Sequence, residues 1–452
     1  MPEKARLKKA IEEALNVGNI PTQALSDALK DAHPSDVAEV VLSLDRDDMV
    51  RGFLLLPENL AGAVLEEADE PVKLDLLEDL SEEKIADIID EMPPDKGADV
   101  LELLAPEEEK EVLEEVEAET AENIKELRSY DPETAGGIMT TEYASVGGEA
   151  TVDDALAEIR QYPEDEPLGC VFVIDDGNRL KGVVTFRQIV RSSPQTRVKD
   201  IMTSDVVSVK TTDDQEHVAR EVQKYNYTVL PVVDENNVLK GMVAVDDIMD
   251  VVEEEASEDM YRMAGTYVRY PTSESTLHRA LKRLPFLLVT LCGGFVSAFV
   301  LASFQYTIHT VIVLVSFIPV MAGMAGNVGV QSATVVVRGL ALRDIDLSRV
   351  GRVLGKEIGL GILVGVVCGG LTGFIGAIVL GNPILGIVVA VSMITGITVA
   401  AALGTAIPLL CQRIRIDPAL ASGPFITTLN DITGLTIYLS VATMLLSSLA
   451  KA

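Results

Sequence analysis

Asp431 lies in an otherwise apolar stretch, residues 423–449, long enough to cross the hydrocarbon of a bilayer. Asn430 precedes it, and Thr427, Thr428, Thr433 and Thr436 surround it. A carboxylate in hydrocarbon is costly and normally faces a partner, a cavity or an ion path. The alternative is a headgroup position from which Asp431 caps a helix N-terminus. The apolar run 424–426 upstream favours the deeper placement. A second polar group interrupts an earlier apolar stretch, FIPVMAGMAGNVGVQSATVVVRGLA at 317–341. Asn327, Gln331, Ser332 and Thr334 offer amide and hydroxyl oxygens there. Pro319 and the glycines at 323, 326 and 329 are expected to loosen the helix and free carbonyls beside them. Irregular backbone at membrane depth is tolerated where it is buried or lines a wet cavity, and broken spans are a common device for ion sites. The competing expectation is a helix cap just past the membrane.

A third group is acidic and lies outside any apolar run: Asp213, Asp214, Glu216, Asp246, Asp247, Asp250, Glu253, Glu254, Glu255, Glu258 and Asp259. Hard divalent cations take oxygen ligands, and Mg²⁺ typically uses one or two carboxylates while keeping several waters. Residues 246–270 read as a helix on which like charges at helical spacing repel unless something neutralises them. The plainer reading is a solvated helix. Cys170, Cys292, Cys368 and Cys411 form no CxxC pair, and His33, His217, His278 and His309 are scattered, so neither a disulfide framework nor a zinc site is expected. No nucleophile–base or cofactor constellation stands out, which argues against an enzyme.

The elements that must position these groups fall into two halves. Residues 1–270 carry a net charge of −38 and residues 271–452 one of +5, within a total of −33. Such asymmetry implies two environments, an acidic water-soluble half and a membrane half with basic loops. The acidic surface repels nucleic acid and attracts cations. The N-terminal sequence lacks the apolar core of a signal peptide. From His33 the chain falls into seven consecutive twelve-residue units, with a large apolar residue at the ninth position of each: Val41, Phe53, Leu65, Leu77, Ile89, Leu101 and Leu113. Unit starts suit helix caps or first turns, and short helices of this kind must stack to bury a face. Residues 1–130 are therefore expected to form a small α-solenoid with acid-rich outer faces.

Residues 131–255 contain one pattern twice. Each copy reads as an extended segment (GIMTTEYASV, DIMTSDVVSV), an amphipathic helix, two strands around a DDGN or DENN turn, and a closing helix, with Asp175 matching Asp234 and Gly182 matching Gly241. This resembles a tandem pair of CBS domains, an α+β unit. The resemblance implies adenosyl nucleotide binding through a Thr/Ser-x-x-Asp motif, which this chain splits. Thr185 is followed by Gln188 in the first copy, whereas Asp247 is preceded by Ala244 in the second. An adenine nucleotide is thus a cofactor only if half a motif per copy suffices.

Apolar stretches at 284–304, 307–325, 358–380, 384–410 and 423–449 predict five spans. Arg279, Lys282 and Arg283 precede the first; Arg338, Arg343, Arg349, Arg352 and Lys356 separate the second and third; Arg413 and Arg415 separate the fourth and fifth. The alternate connections are uncharged, so the soluble half is expected in the cytoplasm and the C-terminus outside a cell membrane.

With this order of parts, the chain resembles the MgtE family of magnesium channels over nearly its whole length. The residues that carry the resemblance are Gly326, Asn327, Gly329, Gln331 and Ser332, then Asp417, Pro418, Ala419, Ser422, Pro424, Asp431 and Gly434. Val330 and Gly423 depart from members that carry Asn there. The resemblance implies a multidomain membrane protein: a cytosolic helical domain (1–130), CBS units at 131–197 and 198–250, a connecting plug helix (251–275) and an all-α five-helix transmembrane domain (276–452). It implies a homodimer with its pore between the second and fifth spans of both copies, in which Asp431 holds a largely hydrated Mg²⁺. Asn327, Gln331, Thr334 and Thr427 are the further candidate pore residues. Asp214, Glu216, Asp246, Asp247, Asp250, Glu255, Glu258 and Asp259 are the candidate regulatory ligands for divalent ions, and Thr185 and Asp247 the candidate nucleotide contacts. The alternative from a different class is a proton- or Na⁺-coupled secondary transporter of divalent metals in which Asp431 titrates.

Overall fold

The computed structural model describes residues 2–17, 22–30, 32–78, 80–162, 168–266, 276–341, 344–345, 349–421 and 423–445. The chain divides into two compact units, 1–255 and 256–452.

In the first unit every twelve-residue repeat makes one helix: Pro34–Leu42, Arg46–Phe53, Glu58–Glu67, Glu70–Leu77, Glu82–Asp90, Pro94–Glu102 and Pro106–Glu115. The first residue of each repeat is the N-cap, from His33 to Ala105, and proline in the first turn of four of these helices starts the helix without wasting a donor. The ninth-position residues Val41, Phe53, Leu65, Leu77, Ile89 and Leu101 are buried. Most of these helices pack on the next but one. Pro34–Leu42 meets Glu58–Glu67, which meets Glu82–Asp90, which meets Pro106–Glu115, while Arg46–Phe53 meets Glu70–Leu77. A single amphipathic turn or two cannot bury its face alone, and this alternation gives each face a cover.

Two equivalent three-stranded sheets follow. In the first, β1 (Ser145–Gly147) pairs parallel with β2 (Cys170–Ile174), which pairs antiparallel with β3 (Leu180–Thr185); in the second, β4 (Val209–Lys210), β5 (Val229–Val233) and β6 (Leu239–Ala244) repeat that order. The intervening helices are Val152–Gln161 and Gln215–Tyr225. Asp175 Oδ1 accepts from the amides of Gly177 and Arg179, and Asp234 Oδ1 from those of Asn236 and Val238. Asn178 and Asn237 take the left-handed conformation that such turns require. The Leu180 amide donates to the Asn237 carbonyl and the Leu239 amide to that of Asn178, so the two turns clasp each other. The closing helix of the second copy, Val245–Met263, runs across the boundary between units and ends before Gly265, whose φ is +76°. The sequence expectation carried this helix to about Tyr270; residues 267–275 lie outside the described ones.

The second unit contains helices Thr276–Ser303, Ile318–Ala341, Val350–Leu380, Pro383–Arg413 and Gly423–Met444. Among the described residues, four helical segments, 279–303, 312–341, 350–379 and 383–413, are long and apolar enough to span a bilayer. Gly423–Met444 is long enough but is diluted by Asn430, Asp431 and five threonines. Large apolar side chains such as Phe295, Phe299, Leu363 and Phe374 point outward, as a lipid-facing surface requires.

One expectation is corrected. The second apolar stretch does not loosen at its glycines. It is interrupted earlier, where the short helix Gln305–Thr310 gives way at Val311 to a 3₁₀ segment, Ile312–Phe317; from Ile318 to Ala341 the α-helix is continuous. Pro319 is the second residue of that helix, where a missing amide costs nothing. The glycines serve close packing instead: a Cβ on Gly404 of the neighbouring helix would lie 2.2 Å from the Gly329 carbonyl oxygen.

Candidate functional site

The last helix begins at Gly423, which places Asp431 in its third turn and excludes the N-cap reading. Ile426, Asn430 and Gly434 form the buried face, while Thr427 and Asp431, one turn apart, are partly exposed beside it. Four of the five threonines on this helix fold their hydroxyls back onto their own backbone, Thr428 onto Pro424, Thr433 onto Leu429, Thr436 onto Ile432 and Thr443 onto Leu439. Thr427 does not, and among the described residues neither its hydroxyl nor the Asp431 carboxylate has a hydrogen-bond partner in the chain. A Cβ on Gly326 would lie 3.9 Å from Asp431 Oδ1 and 3.2 Å from Thr427 Cγ2, so both oxygen-bearing groups sit against the glycine stretch of Ile318–Ala341.

On that helix Gly323, Asn327, Gln331, Thr334 and Arg338 share one exposed stripe, spaced three or four residues apart. Asn327 and Gln331 keep their amides free of hydrogen bonds to described residues, whereas Thr334 donates to the Val330 carbonyl at 2.9 Å. Ser332 lies on the opposite, buried side and donates to Glu357 Oε2 at 2.9 Å. Glu357, on Val350–Leu380, escaped the sequence reading; its only signal was an acid at the very edge of an apolar run. One chain thus supplies one carboxylate and a row of neutral oxygens. Among the described residues no three His, Cys, Asp or Glu side chains gather into a metal-holding group.

The end of the connecting helix reaches this region. The Met263 carbonyl oxygen would be 3.0 Å from a Cβ on Gly423, and Met263 lines a small crevice with Val330, Thr334, Ala421 and Gly423. Arg262 pairs with Glu258 on its own helix and, at 2.5 Å, with Asp417, whose other oxygen caps the turn Pro418–Leu420. Ser422, singled out from the sequence, lies outside the described residues.

The acidic candidates of the first unit are distributed. Asp214 caps Gln215–Tyr225, Glu216 pairs with Arg220 at 2.7 Å and Glu255 accepts from Gln215 at 2.7 Å. Asp246 is exposed; Glu258 pairs with Arg262, and Asp259 is also engaged. Asp247 and Asp250 belong to a cluster unforeseen from the sequence. Lys96 Nζ lies 2.8 Å from Asp247 Oδ1 and 3.8 Å from Asp95 Oδ2, with Glu66 and Asp99 close by. Burial opposes the ammonium charge, but the carboxylates of Asp247, Asp95 and Glu66 outweigh it and raise the Lys96 pKa. Burial pushes Asp95 up to about 7, and its Oδ1 has no partner among the described residues. Burial also raises Asp247, Asp250, Asp99 and Glu66, only partly offset by Lys96. Lys96 gave no sequence signal, being one lysine in an acid-rich repeat. The nucleotide candidates are both engaged: Thr185 caps Phe186–Arg191 and donates to Gln188 Oε1 at 2.8 Å, and Asp247 holds Lys96.

Family models place an MgtE intracellular N domain at 32–133, CBS domains at 135–194 and 198–254, and an MgtE divalent cation transporter region at 318–441. The magnesium transporter MgtE of Thermus thermophilus is 36% identical over 98% of this chain and 99% of its own. A crystal structure of the soluble part of a magnesium transporter matches 56% of this chain and 99% of that one, with TM-score 0.52 and 30% identity. A crystal structure of the cytosolic domain of the Mg²⁺ channel MgtE in complex with ATP matches 54% and 99%, with TM-score 0.50 and 34% identity. Across nearly its whole length, then, this chain belongs to the MgtE family, membrane transporters of magnesium and other divalent cations rather than enzymes.

Proposed function

We propose that the chain forms a homodimeric Mg²⁺ channel of the cell membrane, closed by Mg²⁺ on its cytosolic side. The carrying observation is Asp431: a partly buried carboxylate in a membrane helix, unbonded to any described residue, with the Thr427 hydroxyl one turn away. A lone carboxylate there is unfavourable, and two on a symmetry axis repel unless a divalent cation sits between them. Stripping Mg²⁺ of all its water is slow, so a pore that holds the hydrated ion through neutral oxygens still conducts. The exposed row Asn327, Gln331 and Thr334 suits such water-mediated contact. Five spans, a cytoplasmic N-terminus and an external C-terminus complete this reading, together with the division into 1–130 (an α-solenoid), 131–197, 198–250, 251–275 and 276–452.

For closure, Asp214, Glu216, Asp246, Asp247, Asp250, Glu255, Glu258 and Asp259 are the residues that would hold regulatory Mg²⁺. Each ion needs only to bind the closed form better than the open one. The orphaned carboxylate oxygen of Asp95 beside Asp247 fits a set short of cations. The connecting helix, whose end touches Gly423, is the plug. The ATP complex of a similar cytosolic domain supports an adenine nucleotide as a CBS ligand; here it would compete with Gln188 for Thr185 and with Lys96 for Asp247.

The test is patch-clamp recording from reconstituted protein while Mg²⁺ on the cytosolic face is raised from micromolar to millimolar, beside Asp431→Asn. Unitary Mg²⁺ currents that close with Mg²⁺ and vanish in the variant are expected. Flux without unitary currents that follows an imposed pH or Na⁺ gradient would instead establish a coupled transporter.

A further inference from the structure

Asn430 is the most deeply buried polar side chain near Asp431: it is 0% exposed, and neither Oδ1 nor Nδ2 has a hydrogen-bond partner among the described residues. A buried amide left unpaired is destabilising, and an aliphatic residue would fill the same space without that cost. Something other than stability must retain it.

Its position suggests what. The amide lies against Gly329 of Ile318–Ala341, where a Cβ would come within 1.8 Å of Nδ2 and 3.0 Å of Cγ. The Gly329 carbonyl oxygen in turn occupies the space a Cβ on Gly404 would need. Three helices therefore meet at one level, at residues 329, 404 and 430, with only a thin planar group between two of them. Asp431 is the next residue, and successive side chains on an α-helix are about 100° apart around the axis. Any rotation of the last helix that swings Asp431 must drag the Asn430 amide out of the Gly329 notch.

We infer that Asn430 is a positioning residue for the ion site: keyed into the notch at Gly329, it fixes the rotation of the last helix and thereby where the Asp431 carboxylate meets the ion. This rests on Asp431 being the ion site.

The test is Mg²⁺ uptake by full-length protein in liposomes carrying an Mg²⁺-sensitive dye, measured as half-saturating Mg²⁺ and maximal rate. Asn430→Ala is expected to raise half-saturation about tenfold with a maximal rate within about threefold, the signature of a loosened but intact site. Gly329→Ala, which drives a methyl into the amide, is expected to cut the maximal rate by about tenfold or more. Adding Asn430→Ala to Gly329→Ala removes the obstructing atom and is expected to restore uptake to the level of Asn430→Ala alone. Gly326→Ala, whose methyl meets Thr427 instead, is not rescued by Asn430→Ala. Should Gly329→Ala fail to give a monodisperse gel-filtration peak, recovery of that peak in the double variant is read first, followed by uptake. Unchanged half-saturation in Asn430→Ala, or a double variant no better than Gly329→Ala, overturns the inference. An active Asp431→Asn would overturn the ion-site reading instead, a separate outcome.

Discussion

A single carboxylate at Asp431 and a single ammonium at Lys96 illustrate two ways of carrying charge out of water. Lys96 is surrounded by acids, and removing one member of a buried pair typically costs about 3–5 kcal/mol. Lys96→Met is therefore expected to lower the thermal midpoint of the purified protein by several degrees. The double variant Lys96→Met/Asp247→Leu should recover most of the loss, because no charge is then left unpaired; differential scanning fluorimetry checks both. Asp95 gives a pH signature. Its carboxyl, near 4 when exposed, is pushed to about 7 by burial, so the folded form binds the proton more tightly than the unfolded one. Stability contributed by this group is present below about pH 4 and falls as pH rises through about 7. Asp95→Asn should flatten that decline and raise the midpoint at pH 8 by a few degrees. At the proposed pore, Asp431→Asn is expected to reduce Mg²⁺ flux by more than about a hundredfold, since a neutral amide cannot offset the ion's charge.

At the scale of elements, glycines that look like helix breakers turned out to be contact points. Gly404→Ala places a methyl 2.2 Å from the Gly329 carbonyl and is expected to abolish monodisperse protein in detergent; Gly351→Ala, with nothing within 4 Å, should be silent. Arg262 ties the end of the connecting helix to Asp417, and Arg262→Ala should raise the Mg²⁺ needed for half closure about fivefold, matching roughly 1 kcal/mol for a partly exposed pair. Much of this architecture was legible in the sequence. The twelve-residue period announces one helix per unit because each unit carries its own helix start and six of the seven carry a buried ninth residue. The doubled DDGN and DENN turns announce two like sheets because Asn178 and Asn237 tolerate the left-handed backbone. The position of the break before Ile318 was misread, since Pro and Gly signal irregularity only when their neighbours are not packing against them. Lys96 and Glu357 were invisible for a related reason: their partners lie 151 and 25 residues away, and periodicity carries no information about such pairs.

For the molecule as a whole, a single carboxylate per chain at the proposed ion site, Asp431, predicts a dimeric mass by light scattering in detergent. Neutralising Asp247, Asp250, Glu255, Glu258 and Asp259 together should leave flux that no longer falls as cytosolic Mg²⁺ rises; unchanged closure in that variant would remove these acids from the sensor. The stacking of the N-terminal helices carries a consequence for how such a chain can change length. Because the first, third, fifth and seventh helices of the repeat each rest on the next but one, they form a course of their own, like alternate rows of brickwork. Losing one unit of twelve residues would shift every later helix into the opposite course and strand its apolar side. Losing two neighbouring units keeps each course in order, so insertions and deletions in this part of the chain should be tolerated in steps of twenty-four residues rather than twelve.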